Sequence, residues 1–188
     1  MIILASKSPR RKELMTKYIT SHFSIIPSSY EEEIDNNISP IDNVLNISKH
    51  KGEEIFNEHR DDVVISCDTI VVLNNEIFGK PKDKEDAIDT IMKLAGKTHE
   101  VISAYSIFYK EIEISRYVIS KVTFKNINKD QAKEYIEKDN PLDKAGSYGI
   151  QDKDSYLIIE KYEGSLNNII GFPVEEIKKD LEGFNILD

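Results

Sequence analysis

The stretch Val63-Val64-Ile65-Ser66-Cys67-Asp68-Thr69-Ile70-Val71-Val72 constrains this chain more than any other. Its apolar ends read as core strand, Val63 to Ile65 and again Ile70 to Leu73, yet a carboxylate sits in the middle. Burying Asp68 there is expensive unless a cation, a metal or hydrogen-bond donors hold it. A carboxylate so placed is a metal ligand or general base, or else is satisfied by backbone N–H groups at a bulge. Cys67 beside it reads as a small core residue rather than a nucleophile.

The opening makes a second constellation. Ile2 to Ala5 is a short strand, Ser8 an N-cap and Pro9 a first helical residue. Arg10, Arg11 and Lys12 then crowd a helix N-terminus, where cations are disfavoured, which suggests an anion such as phosphate. Across the 188 residues the net charge is −9. That disfavours broad nucleic-acid or membrane-surface binding and makes a small polyanion the partner for the local basic cluster. A single cysteine excludes an intramolecular disulfide and fits a cytoplasmic protein. The start is read as carrying no secretory signal, and no apolar run reaches membrane-spanning length.

The remaining pattern is mixed α/β. Helices are expected at Pro9 to Tyr18, from Ser39-Pro40 through Phe56, from Asp83 or Lys84 to Gly96, at Asp130 to Lys138, and from Pro173 through Leu181. Strands are expected at Phe23 to Ile26, at Ile77-Phe78 after an Asn74-Asn75 turn, at Val101 to Tyr109, at Ile112 to Phe124 and at Tyr156 to Ile159. Together these predict a twisted mixed sheet flanked by helices, one domain over residues 1–188 built as two lobes with a central cleft.

Three further groups carry chemistry. Gly79-Lys80-Pro81 displays Lys80 at a strand end. Lys49 and Lys51 lie at opposite edges of a helix's apolar stripe, and periodicity does not choose between them. Glu31-Glu32-Glu33 is a solvated run or a carboxylate pair for a divalent cation. In Asp143-Lys144-Ala145-Gly146-Ser147-Tyr148-Gly149-Ile150-Gln151-Asp152, two glycines allow close approach to a ligand, and the Gln151 amide offers a donor and an acceptor suited to a base edge. The histidines show no zinc spacing, and no phosphate-loop, dinucleotide-binding or nucleophile-elbow motif occurs.

Ala5-Ser6-Lys7-Ser8-Pro9-Arg10-Arg11, Cys67-Asp68-Thr69-Ile70-Val71, Gly79-Lys80-Pro81, the Asp143–Gln151 segment and Gly171-Phe172-Pro173 together resemble the Maf family of nucleoside triphosphate pyrophosphatases. The resemblance implies an α/β fold related to inosine triphosphate pyrophosphatases. It implies hydrolysis between the α and β phosphates, giving monophosphate and pyrophosphate with Mg²⁺ or Mn²⁺. It places Asp68 as proton acceptor and metal ligand with Glu32 as helper, and Lys51 and Lys80 as catalytic cations. Ser8, Arg10, Arg11, Thr69 and Gln151 become substrate-binding residues, with Arg10, Thr69 and Gln151 setting a preference for dTTP and UTP. Lys51-Gly52 stands where the family often has Lys-Ala. A homodimer and a link to septum formation are further family expectations. The competing reading is a non-catalytic nucleotide-sensing regulator of division.

Overall fold

A computed structural model describes residues 1–187, so the last residue of the expected domain, Asp188, lies outside the described residues. The elements are β1 (Ile2–Leu4), α1 (Pro9–Tyr18), β2 (Ser24–Ile25), α2 (Pro40–Glu58), β3 (Val63–Leu73), β4 (Glu76–Phe78), α3 (Lys84–Leu94), β5 (Thr98–Tyr109), β6 (Ile112–Phe124), α4 (Lys129–Asp139), β7 (Ile159–Glu163), α5 (Leu166–Ile170) and α6 (Val174–Gly183). Short 3₁₀ turns at Ala145–Ser147 and Ser155–Leu157 lie between α4 and β7.

The strands form one mixed sheet of order β2-β1-β3-β5-β6-β7, with β4 paired to β3. β1 is parallel to both β2 and β3, whereas β4 and β7 pair antiparallel with β3 and β6. The helix starts follow the caps: Ser8, Ser39 and Asp83 accept from the backbone N–H of Arg11, Asp42 and Asp86. The β3–β4 turn places Asn74 and Asn75 both at positive φ, the backbone that a tight two-residue hairpin demands.

Three elements differ from expectation. β3 runs unbroken through Asp68, so the carboxylate is housed inside a regular strand. Tyr156 lies in a 3₁₀ turn, and the last strand begins at Ile159 and ends at Glu163. That strand sits at the sheet edge with four exposed residues, so it lacks the apolar alternation that marks a strand. Residues Leu166–Ile170, outside every expected helix and strand, form a helix too short to show periodicity.

The chain divides into two compact units. The first comprises Met1–Thr69, Ser103–Val118 and the residues from Gly171 on; the second comprises Ile70–Ile102 and Ile119–Ile170. In the first unit Ile3, Ala5, Ile55, Phe56, Val64 and Phe108 pack together. In the second, α3 and α4 close over a core that includes Val71, Ile91, Leu94, Phe124, Tyr135 and Tyr148. Among the described residues no helix is long and apolar enough to cross a membrane.

Candidate active site

Asp68 is 5% exposed, on a strand buried from Val63 to Asp68 in the first unit. Its partner is Lys51 on α2, whose Nζ lies 3.3 Å from Asp68 Oδ1. The same ammonium bonds Glu32 Oε1, which singles out Glu32 from the three-glutamate run. Lys49, the other lysine at the stripe edge, pairs at 2.7 Å with Glu113 instead. Burial pushes the Asp68 carboxyl above the usual carboxylate range; Lys51 opposes that shift and Glu32 adds to it. A carboxylate raised in this way is a better proton acceptor near neutrality.

Glu32 stands in a segment without regular structure, and α2 anchors that segment. Three residues beyond Lys51, Glu54 accepts from the hydroxyls of Ser28 and Ser29 and from the backbone N–H groups of Ser29 and Tyr30. These bonds hold the Glu54 carboxyl below its ordinary value. The Tyr30 ring lies 5.1 Å from the His50 ring. One helix therefore supplies Lys51 and fixes the chain that brings Glu32 to it. Nothing in the sequence marks Glu54, because its partners gather only once the irregular segment is folded onto α2.

Thr69, next on β3, projects to the other face of the strand. Its hydroxyl meets Ser103 Oγ on β5 at 2.8 Å and the Gly171 carbonyl at 3.3 Å. Arg11 completes this cluster. Its guanidinium donates to the Gly171 carbonyl at 2.9 Å, to Thr69 Oγ1 at 3.2 Å and to Ser6 Oγ at 3.3 Å. Ser8 caps α1, accepting from Arg11 N–H at 3.4 Å, and Arg10 is half-buried on the same turn. Cys67 is fully buried, and burial pushes its thiol up, so it is a core residue and not a nucleophile. Ser6 and Gly171 lie in motifs already singled out, whereas sequence reasoning missed Ser103, whose one signal is a small polar residue within an apolar strand run.

Lys80 and Gln151 belong to the second unit, and both are exposed. Their loops meet where Gly146 N–H donates to the Gly79 carbonyl at 3.1 Å. Gly146 has φ of +71°, and a Cβ there would fall 2.7 Å from Val71 Cγ2. Glycine is thus required both by backbone angle and by the wall of β3.

Asp68 and Glu32 offer hard oxygen donors converging on one cation, the Lys51 ammonium. Among the described residues no three His, Cys, Asp or Glu side chains gather as a closed metal cage. That donor set fits Mg²⁺, which takes one or two carboxylates and fills its other positions with phosphate oxygens and water.

A family model for Maf-like proteins matches residues 1–184. The chain belongs to the Maf family. Among curated relatives, a Bacillus velezensis protein named dTTP/UTP pyrophosphatase is 40% identical over 98% of this chain and 97% of its own length. An Aquifex aeolicus protein of the same name is 37% identical over 99% of this chain and 96% of its own. A Leptospira borgpetersenii protein, again so named, is 40% identical over 93% of this chain and 91% of its own. The Maf assignment agrees with the motifs around Ser8, Asp68, Lys80 and Gln151.

Proposed function

We propose that this Maf protein is a nucleoside triphosphate pyrophosphatase that hydrolyses dTTP and UTP to the monophosphate and pyrophosphate in the cytoplasm. The observation that carries the chemistry is Asp68, a buried carboxylate with a raised pKa held against Lys51 and backed by Glu32. The substrate preference rests on the near full-length relatives named for dTTP and UTP.

In this reading Asp68 accepts the proton of the attacking water as its oxygen bonds to phosphorus and the bond to pyrophosphate breaks. Glu32 keeps a second negative group beside it, which favours proton uptake. Lys51 holds Asp68 in place and offers its ammonium to the charge that develops on the phosphate oxygens. Arg10 and Lys80 supply further positive charge to the triphosphate, where positioning and electrostatics do most of the work. Asp68 and Glu32 are the residues that would hold Mg²⁺ or Mn²⁺. Such an ion, when bound, supplies Lewis-acid neutralisation of phosphate charge. Arg11 donates once from each guanidinium nitrogen to Gly171, Thr69 and Ser6, which sets the Thr69 hydroxyl, and its remaining N–H donors serve the triphosphate. Thr69, Arg10 and Gln151 then select the base.

A chromatographic panel of nucleoside triphosphates with Mg²⁺, Mn²⁺ or chelator tests this reading. Monophosphate plus pyrophosphate, fastest with dTTP or UTP and abolished by chelation, is expected. Diphosphate plus phosphate would replace the reaction assigned. Stoichiometric binding without turnover would make the protein a nucleotide sensor.

A further inference from the structure

The irregular segment that carries Glu32 is held to α2 at three points. Near the start of the helix Asn43 is 3% exposed; its Oδ1 accepts from Asp35 N–H at 2.8 Å and its Nδ2 donates to the Asp35 carbonyl at 2.9 Å. Farther along, the Lys51 ammonium bonds the Glu32 carboxylate itself. Beyond that, Glu54 accepts from the Ser28 and Ser29 hydroxyls and from the Ser29 and Tyr30 N–H groups. Asp35, Glu32 and Tyr30 thus meet Asn43, Lys51 and Glu54 in turn, and the segment runs along α2 in the opposite sense. Asn43 and Glu54 stand eleven residues apart on the helix, about 16 Å at its rise per residue. Five residue steps link Tyr30 to Asp35, at most about 18 Å of extended chain. Little slack is left between the two clamps, and Glu32 lies within it.

We propose that Glu54 is a positioning residue for the reaction: with Asn43 anchoring the far end of the segment, it keeps the Glu32 carboxylate on the ammonium that Asp68 shares. The inference rests on the reading of Asp68, Lys51 and Glu32 as the group that acts on water. The Glu32 side chain is 43% exposed, and an ion pair so placed contributes little. Ordering several residues of irregular chain costs more than that pair returns. The Lys51 contact therefore fixes where the carboxylate points, and the clamps supply the order that makes the contact persist. Four donors converging on one carboxylate make the Glu54 clamp strong, since hydrogen bonds to a charged group exceed neutral ones. Asn43 adds a buried donor–acceptor pair on the same backbone unit. A catalytic group carried on a segment without regular structure needs such support from the shell around it.

The test is kcat and KM for dTTP in the full-length protein at saturating Mg²⁺. Glu54→Ala is expected to lower kcat about tenfold, the weight of one hydrogen bond to a charged group, and to change KM by less than about twofold. Glu54→Gln keeps an acceptor oxygen at the clamp and is expected to retain most of kcat. Ser28→Ala with Ser29→Ala removes only the hydroxyl donors, lowers kcat in the same direction, and decides the matter if Glu54→Ala does not fold. Glu32→Gln is the reference, with kcat lowered. Added to Glu32→Gln, Glu54→Ala is expected to cost nothing further, because the carboxylate it positions is already gone. Parental kcat in folded Glu54→Ala and in the double serine variant overturns the positioning role, and so does an equal further loss in the Glu32→Gln background. If Glu32→Gln keeps parental kcat while Asp68→Asn loses turnover, the role of Asp68 stands and the positioning role falls. A parent protein that releases no pyrophosphate overturns both.

Discussion

The Lys51 ammonium lies 3.3 Å from Asp68 Oδ1 and bonds Glu32 as well, so one side chain joins a buried strand carboxylate to an irregular segment. Breaking that link and neutralising the carboxylate are different perturbations. Asp68→Asn removes both the charge and the proton acceptor. Turnover is expected to fall by about 10²–10⁴-fold. The melting temperature should hold or rise, since an uncharged amide costs less to bury. Single-turnover kinetics beside a thermal melt check this, and a near-normal rate in a folded variant would remove Asp68 from the chemistry.

Lys51→Met leaves Asp68 buried with its nearest counter-charge gone. Stability should fall by about 3 kcal/mol. Adding Asp68→Asn to Lys51→Met should recover much of that loss, because the stranded charge is then absent. Denaturant titrations of the four proteins in the cycle measure the coupling; additive losses would contradict the pairing.

His99 is 1% exposed, its Nε2 lies 2.6 Å from the Tyr148 hydroxyl, and burial drives its pKa down to about 4. Its ordinary value is 6.5. Between those values the unfolded chain binds a proton that the folded chain refuses, so stability falls as pH drops from 6.5 towards 4. The loss attributable to His99 is about 3 kcal/mol in all. His99→Phe should flatten this part of the stability profile relative to the parent; parallel profiles would show that His99 does not titrate with unfolding.

Gly52 faces Phe108, and a Cβ at Gly52 would fall 2.5 Å from Phe108 Cε2 and 2.6 Å from Ser66 Oγ. Gly52→Ala should therefore destabilise this chain by about 1–3 kcal/mol despite alanine's better helix propensity. Phe108→Leu in the same protein should relieve much of the loss. Melting temperatures settle the point, at roughly 2–4 °C per kcal/mol for a chain of this length.

Much of the skeleton was legible because its signals are local. Ser8, Ser39 and Asp83 announce their helices through capping chemistry, and Asn74-Asn75 announces its turn. Asp68 was legible because a carboxylate inside an apolar strand demands a partner. Which partner was not, since Lys49 and Lys51 are equivalent by helical period and differ only in what lies opposite. Arg11 shows the same limit. With Arg10 and Lys12 beside it in the first turn it suggested a phosphate clamp, and the carbonyl that accepts its Nε–H hydrogen bond, 160 positions away, could not be read from sequence. The edge strand β7 escaped because solvent on its exposed positions erases the alternation that a half-buried strand displays.

Asp68 and Thr69 are successive residues on one strand, the first turned to Lys51 and the second to Ser103 and Arg11. An insertion or deletion ahead of them in β3 would exchange the two faces, putting the hydroxyl on the lysine and the carboxylate among the hydroxyls. Point substitutions around this pair can be graded in their effects, but a frame change within the strand cannot. Length variation in this lineage is therefore expected in the loops and at the edge strands, with the segment from Val63 to Thr69 inherited as a fixed ruler.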